Sequence, residues 1–277
     1  MAKINPNLTV VIPSLGHDCL YRTIESIFKC SMAPKNIIVL IPSSNKSLIK
    51  EKKINRVTFC FVQIRGQVKQ RAYGFRMAKT KFVMQLDDDV LLESNAILNL
   101  CGKLQELGKN SSFAPVFLDK FNHKSIYKNR AFIIDFLSFL FLGAKWGSKK
   151  YGTINSAGSV YGYQSNKNSL VNEVEWHPGA CVLHYKNNLI LQDYYPFQGK
   201  AYGEDIIHSI LLRKNNVKLY ALNNAFCYID PPALDSNYSI DADFKVRKLI
   251  NKLRGKSLIP VFLWFLYKKL FWSHNYE

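Results

Sequence analysis

What is scarce in this 277-residue chain narrows it first. Its six cysteines (Cys19, Cys30, Cys60, Cys101, Cys181 and Cys227) are scattered, with no Cys-x-x-Cys pair and no histidine cluster. That argues against a zinc site or a disulfide framework and fits reduced thiols in a cytosol. The opening residues Met1-Ala2-Lys3-Ile4-Asn5-Pro6-Asn7 lack the apolar stretch of a secretion signal. No apolar run reaches the ~18–20 residues needed to cross a bilayer, so an intracellular, non-spanning protein is expected. Repeats and low-complexity linkers are absent, and no domain boundary announces itself. Acids are scarce as well: 20 against 38 basic residues, a formal charge of +18. Such a surplus needs a polyanionic partner, whether nucleic acid, anionic lipid or phosphorylated substrate.

What is present reads as a globular α/β protein. The apolar fraction is 48% and the aromatic content, 13%, is high. Leu8-Thr9-Val10-Val11-Ile12 is a short buried-type strand stopped by Pro13. Helical spacing follows in Leu20, Ile24, Ile27 and Phe28, on a segment that can start near Asp18 and that Pro34 ends. Strands are expected at Asn36–Ile41, Val57–Val62 and Phe82–Leu86, with a helix over residues 67–79 between the last two. Buried strands alternating with helices indicate a parallel, doubly wound sheet.

Three carboxylates, Asp87, Asp88 and Asp89, close the strand at Phe82–Leu86. Adjacent anions repel, and at the carboxyl end of a strand in an α/β sheet, where ligands sit, a hard divalent metal is one compensator. Mg²⁺ or Mn²⁺ takes one or two protein carboxylates and shares its remaining positions with substrate phosphates. A solvated acidic turn is the other reading of the triplet. A second acidic pair, Glu204-Asp205, follows Gly203 and precedes Ile206, Ile210 and Leu211 at helical spacing. There the macrodipole stabilises negative charge, so the pair reads either as a helix start or as a general base held on a helix tip. Asn215-Asn216 closes that helix and Val217–Tyr220 returns to strand.

Two apolar segments break the alternation. Phe132–Leu142 is followed by Lys145, Lys149 and Lys150, and Leu258–Tyr267 is flanked by Lys252, Arg254, Lys256, Lys268 and Lys269. Apolar, aromatic faces with basic flanks suit in-plane helices on anionic lipid; a core helix or an oligomer contact is the alternative. Whether residues 131–144 and 258–267 dock or pack is left open by the sequence.

In order, these motifs are Ile12-Pro13-Ser14, Ser43-Ser44, Arg65-Gly66-Gln67 leading into Gln70-Arg71-Ala72-Tyr73-Gly74, Leu86-Asp87-Asp88-Asp89 and Gly203-Glu204-Asp205. From about Leu8 to about Tyr220 the chain resembles an inverting family 2 glycosyltransferase of the GT-A type, of the bacterial surface-polysaccharide kind. The resemblance implies a Rossmann-like, mostly parallel α/β sheet flanked by helices, with a C-terminal amphipathic helical extension. It implies a catalytic domain over residues 1–225, with a nucleotide-binding half (1–100) and an acceptor-binding half (101–225), and an extension over 226–277. Asp89, with Asp87, would bind Mn²⁺ or Mg²⁺, and Asp87 and Asp88 would face the nucleotide. Asp205 would be the catalytic base, with Glu204 supporting it. Pro13, Ser14, Gln67, Gln70 and Arg71 would lie at the donor site, and Trp176 and His177 would touch the acceptor. The implied partners are a nucleotide-diphosphate sugar (a UDP-sugar foremost), a lipid-linked glycan acceptor and the cytoplasmic face of an anionic membrane. Two departures weaken a uridine donor in particular: Ile41-Pro42-Ser43-Ser44 lacks an aspartate that many relatives carry there, and Ala72 stands where an asparagine is expected.

Charge alone would also suit nucleic-acid binding. The basic residues are spread along the chain, however, no groove-reading motif appears, and the Asp triplet repels phosphate unless metallated. No nucleic-acid partner is therefore expected. A nucleotidyltransferase acting on sugar phosphates shares the sheet and the aspartates, but Pro13-Ser14-Leu15-Gly16-His17 is poor in the glycine and basic residues of its phosphate loop. A catalytically silent membrane scaffold would not need the intact acids.

Overall fold

The computed structural model describes residues 3–50, 53–127, 132–142, 144–163, 169–197, 201–230 and 239–272. Parts of the expected docking segment 131–144 and of the expected extension, at 131, 143, 231–238 and 273–277, lie outside the described residues.

The first half is βα alternation. β1 (Lys3–Pro13) leads through α1 (Cys19–Lys29) to β2 (Met32–Pro42), then β3 (Val57–Val62), α2 (Gln67–Met77) and β4 (Phe82–Leu86). β5 (Leu91–Leu92), α3 (Ala96–Leu107), β6 (Ser111–Asp119), α4 (Phe132–Leu142), β7 (Val171–Val174) and β8 (Cys181–Tyr185) follow. The chain continues with α5 (Glu204–Lys214), β9 (Lys218–Ile229), α6 (Ile240–Arg254) and α7 (Ile259–Trp272). β3 and β4 fall where the hydrophobic runs place them. Pro34, expected to end the first helix, lies instead in β2 opposite Asn5, because α1 already stops at Lys29. β9 runs on to Ile229, past the division expected at 225.

Among the described residues the strands form one nine-stranded sheet, ordered β3-β2-β1-β4-β8-β6-β9-β5, with β7 on β9. β3, β2, β1 and β4 are mutually parallel, while β8 inserts antiparallel between β4 and β6. The chain winds outward from β1 through β2 to β3 and then crosses back to lay β4 on β1's other side. This reversal makes a switch point at the carboxyl ends of β1 and β4, the place where such sheets hold ligands.

Burial explains the framework. All of β4 and β8 is buried, as continuous strands covered on both faces must be. α2 lies against β1 and β2 through Gly74, where a Cβ would stand 2.4 Å from Val11 Cγ1 and 2.6 Å from Leu40 Cδ2. Only glycine lets this helix come so close, and that closeness sets the reach of its polar side chains toward β4. α6 is capped at its start by Ser239, whose hydroxyl accepts from the Ala242 amide at 3.2 Å, and stops at Gly255 with φ 64°. It packs Val246 and Ile250 against the α5 side of the molecule. α7 lies on α6 through Val261 and Trp264, with the Arg247 guanidinium 3.9 Å from the Trp264 ring centre. No helix among the described residues is long and apolar enough to cross a membrane.

Candidate functional site

The carboxylates after β4 are held by three different elements. The Asp87 amide donates to Ala180 O at 2.8 Å, fixing the turn to the loop before β8. The Asp87 carboxylate accepts from Gln67 Nε2 at 2.9 Å and from Arg71 Nη2 at 3.3 Å, both on α2. Burial, with Glu204 and Asp89 nearby, pushes Asp87 up to about 7, although Arg71 pulls the other way. Its side chain is 20% exposed, so solvent still reaches one edge of this carboxylate. Asp88 accepts a short hydrogen bond from Ser14 Oγ, and its carbonyl accepts from Thr23 Oγ1 at 2.8 Å. Asp89 projects outward, and partial burial with Asp88 and Asp230 close by raises its pKa.

The second acidic pair arrives on α5. Gly203 turns the chain into the helix at φ 60°, which a side chain disfavours. Ile206, Ile207, Ile210 and Leu212 then bury the helix, each contributing ~1.5–3 kcal/mol. That offsets the several kcal/mol it costs to take Glu204 and Arg71 out of water. Glu204 is buried and receives Arg71 Nη1 at 2.9 Å on Oε1 and 3.0 Å on Oε2, while Tyr194 Oη donates to Oε2 at 2.7 Å. Asp205 accepts from the Ile206 amide at 2.9 Å. Burial and then the neighbouring Glu204 push it up to about 7.

One cavity of about 290 Å³ collects these groups: Gln67, Asp87, Tyr127, Gly179, Glu204 and Asp205 all line it. Gly179 is essential to its shape, because a Cβ there would stand 2.6 Å from Glu204 Oε1 and 3.2 Å from Asp205 Cβ. A small cleft lined by carboxylates from a strand end and from a helix tip can bind a cationic or phosphate-shared group with one and take a proton with another.

The structure brings together most, but not all, of the residues singled out in the sequence. Ser14 reaches Asp88, Gln67 and Arg71 reach Asp87, and Glu204 and Asp205 share the cavity with Asp87. Gln70 is buried and spends its amide on Ser14 O (3.1 Å) and Leu40 O (2.8 Å), tying α2 to the ends of β1 and β2. Pro13, also buried, ends β1 opposite Leu40. Trp176 and His177 are buried and do not line the cleft: the Trp176 indole donates to Tyr161 O at 3.1 Å and its ring backs the cleft residue Tyr127, and His177 Nε2 lies 3.1 Å from Tyr220 O. Burial drives His177 down to about 3, so its ring is neutral and packed. Sequence reasoning missed Tyr194, Tyr127 and the steric role of Gly179, because none belongs to a charged motif. The adjacent pair Tyr194-Tyr195, shortly before Gly203-Glu204-Asp205, was the available signal for the first.

As to a metal, no group of three or more His, Cys, Asp or Glu among the described residues could by itself hold an ion. One outward carboxylate and one partly covered one do fit a hard divalent cation shared with a diphosphate. They do not fit a closed protein cage.

The sequence model of glycosyl transferase family 2 matches residues 9–168, more than half of the chain. The chain belongs to glycosyl transferase family 2. A comparison with curated proteins finds no match. Among solved structures the chain is similar to GalNAc-T7 with UDP, GalNAc and Mn²⁺, at 16% identity and a TM-score of 0.64. It is also similar to S. aureus TarS 1–349 with UDP-GlcNAc, at 12% identity and a TM-score of 0.59. Each comparison covers 89% of this chain, which spans 48% of the first protein's length and 66% of the second's. The likeness is one of fold: the GT-A-like α/β sheet flanked by helices is the architecture expected from the sequence.

Proposed function

We propose that this family 2 member transfers a sugar from a nucleotide-diphosphate donor to a hydroxyl of a glycan acceptor, with inversion at the anomeric carbon. The observation that carries the reading is Arg71. By pairing at once with Asp87 and Glu204, it places the strand-end carboxylates and the α5 tip on one cleft, as a single displacement needs.

In this reading the donor lies across the switch point, with Pro13 and Ser14 at its nucleoside end and Gln67, Asp87 and Asp88 along it. Arg71 and Glu204 are positioning residues, and Gln70 braces the loop that carries Ser14. Asp205 takes the proton from the attacking hydroxyl, on the side of the reacting carbon away from the leaving group. A base with a pKa near 7 accepts that proton with little driving force lost, and burial, with Glu204 beside it, supplies the rise. Gly179 and Tyr127 wall the cleft, and holding the hydroxyl against Asp205 contributes through orientation. Asp89, with Asp87, would hold Mn²⁺ or Mg²⁺, which when bound neutralises charge on the departing diphosphate. The UDP and UDP-GlcNAc of the two similar structures support a uridine nucleotide, and the Mn²⁺ of one supports a divalent ion.

We extend the proposal to a lipid-diphosphate-linked acceptor used at the cytoplasmic face of an anionic membrane, in bacterial surface-polysaccharide synthesis. The charge of +18 and the exposed apolar helices support this setting. The division into a donor half (1–100), an acceptor half (101–225) and a docking extension (226–277) belongs to the same reading. The test is hydrolysis and transfer across a panel of nucleotide sugars with Mn²⁺ or Mg²⁺ present. One donor should turn over, and Asp205→Asn should abolish transfer while leaving nucleotide binding intact; near-wild-type turnover by that variant would overturn the assignment.

A further inference from the structure

A second cavity, about 760 Å³, opens at the other end of α5. The helix has 11 residues, so at ~1.5 Å per residue this site stands about 15 Å from the acids at its tip. It is lined by Lys145, Arg213, Lys214, Arg254 and Lys256, with Glu175 the one carboxylate in its wall. Glu175 is already taken, by Lys145 at 3.0 Å and by the Ile154 amide at 2.9 Å. Arg254 bonds to carbonyls, Asn155 O at 2.6 Å and Ile154 O at 2.8 Å, which satisfies its N–H groups without cancelling its charge. Burial lowers its pKa, and Glu175 pulling upward is opposed by the smaller effect of Arg213. Among the described residues Arg213, Lys214 and Lys256 form no ion pair within 4.0 Å, although Arg213 lies near enough to Glu175 to help lower its pKa. Four positive charges therefore share a concave site that the catalytic cleft does not use.

The surroundings say which anion suits it. Lys145 stands three positions after the end of α4, and Lys256 three positions before the start of α7. The end of α4 and the α6–α7 loop are tied to a common segment at Ser156: its amide donates to Leu142 O at 3.0 Å, and Asn251 Nδ2 on α6 donates to Ser156 O at 2.6 Å and Ser257 O at 2.8 Å. Both α4 and α7 turn apolar side chains to solvent. On α4 these are Phe132, Phe136, Phe139 and Leu140, the three phenylalanines ringed around the exposed Trp146. On α7 they are Ile259, Phe262, Leu263, Leu266 and Leu270, on faces opposite the buried Val261 and Trp264. A free phosphorylated metabolite would use the charges and leave these side chains in water. A lipid uses both.

We propose that this cavity is the headgroup site of an anionic membrane lipid, its phosphate held by Arg213, Lys214, Arg254 and Lys256 and its acyl region met by the exposed faces of α4 and α7. The inference rests on the membrane-surface part of the reading above and adds a defined phosphate site to it. The occupied site seats the cleft about one helix length above the lipid phosphates.

The test is sedimentation of the full chain with phosphatidylcholine vesicles, with and without phosphatidylglycerol. The wild-type chain should bind only the anionic vesicles. A triple variant, Arg213→Gln, Lys214→Gln and Lys256→Gln, should bind them on the order of 100-fold more weakly, since each basic side chain near an anionic surface contributes about fivefold. The charge-matched control Lys35→Gln, Lys79→Gln and Lys109→Gln, all exposed and none of them lining the cavity, should lose far less. Leu263→Ser with Leu266→Ser should weaken vesicle binding with the cavity intact. Equal losses in the two triple variants would overturn the site while leaving membrane docking standing. Failure of the wild-type chain to bind anionic vesicles would overturn both. Inorganic pyrophosphate binding with full dependence on the cavity and none on Leu263 or Leu266 would assign the site to a free phosphate ligand and reject the lipid. Transfer to a soluble acceptor in detergent should be unchanged in the cavity variant, so a failed glycosyl-transfer reading is seen separately.

Discussion

Arg71 and Glu204, 133 positions apart in the chain, form a two-pronged ion pair in the interior, Nη1 standing 2.9 Å and 3.0 Å from the two carboxylate oxygens. Removing one side of such a pair leaves a buried charge unanswered, which costs about 3–5 kcal/mol. Arg71→Met should therefore lower stability by that amount in urea denaturation, because both Asp87 and Glu204 lose their partner. Arg71→Lys cannot span both carboxylates with a planar fork and should recover only part of it. Arg71→Met combined with Glu204→Met should restore much of the stability and none of the transfer. A wild-type midpoint for Arg71→Met alone would show that the pair is not structural.

Asp205 predicts a pH profile. With its pKa pushed up to about 7 by burial and Glu204, it is protonated below that pH and ionised above it. A base works ionised, so kcat/KM should rise with pH and level off above about 7. In Asp205→Asn this limb should vanish along with turnover, a loss of ~10²–10⁴. The stability effect runs the other way. The folded state holds this proton more tightly than the unfolded chain, so the contribution is complete below the unfolded carboxylate range near ~4 and is lost as pH rises through about 7. Asp205→Asn should flatten that part of the stability profile, and a profile unchanged by the variant would assign it to another group.

Asp89 separates metal binding from folding. It is exposed where Asp87 and Asp88 are pinned by side-chain bonds, so Asp89→Ala should keep stability within about 0.5 kcal/mol. Nucleotide affinity measured by calorimetry with Mn²⁺ should fall at least tenfold, with affinity in chelator unchanged. An unaltered metal-dependent affinity would remove Asp89 from the assignment.

Gly179 and Gly102 make a paired comparison. Gly179→Ala drives a methyl group against the Glu204 carboxylate and should destabilise by ~1–3 kcal/mol as overpacking does, with transfer reduced more than tenfold. Gly102 lies in α3 with nothing within 4 Å of a built Cβ. Gly102→Ala should instead stabilise by ~0.5–1 kcal/mol. Thermal unfolding of the two variants checks both signs.

The parts of this molecule legible in the sequence are those with a local signature. β3 and β4 are unbroken apolar runs, α5 has periodic isoleucines behind two acids, and the aspartate triplet and Gly203-Glu204-Asp205 stand out by charge. What stayed hidden depends on partners far along the chain. β8 slips antiparallel between β4 and β6, a choice made by tertiary packing and not by its own pattern. Arg71 looked like a ligand for phosphate because its two carboxylate partners cannot be seen from its neighbours. Trp176 and His177 looked like a polar-aromatic contact surface because burial is a property of the finished core. The basic cavity draws on five separate segments, none of them unusual alone.

The Arg71 bridge also sets an order of events during folding. Its two carboxylates are supplied by β4 and by α5, so no local segment can assemble the cleft, and closing so long a loop is slow relative to helix and hairpin formation. A chain emerging from the ribosome can complete β1 to β4 while Arg71 has only Asp87 to answer it. The interior beside the end of β4 is thus left electrostatically unfinished until the second acidic pair docks.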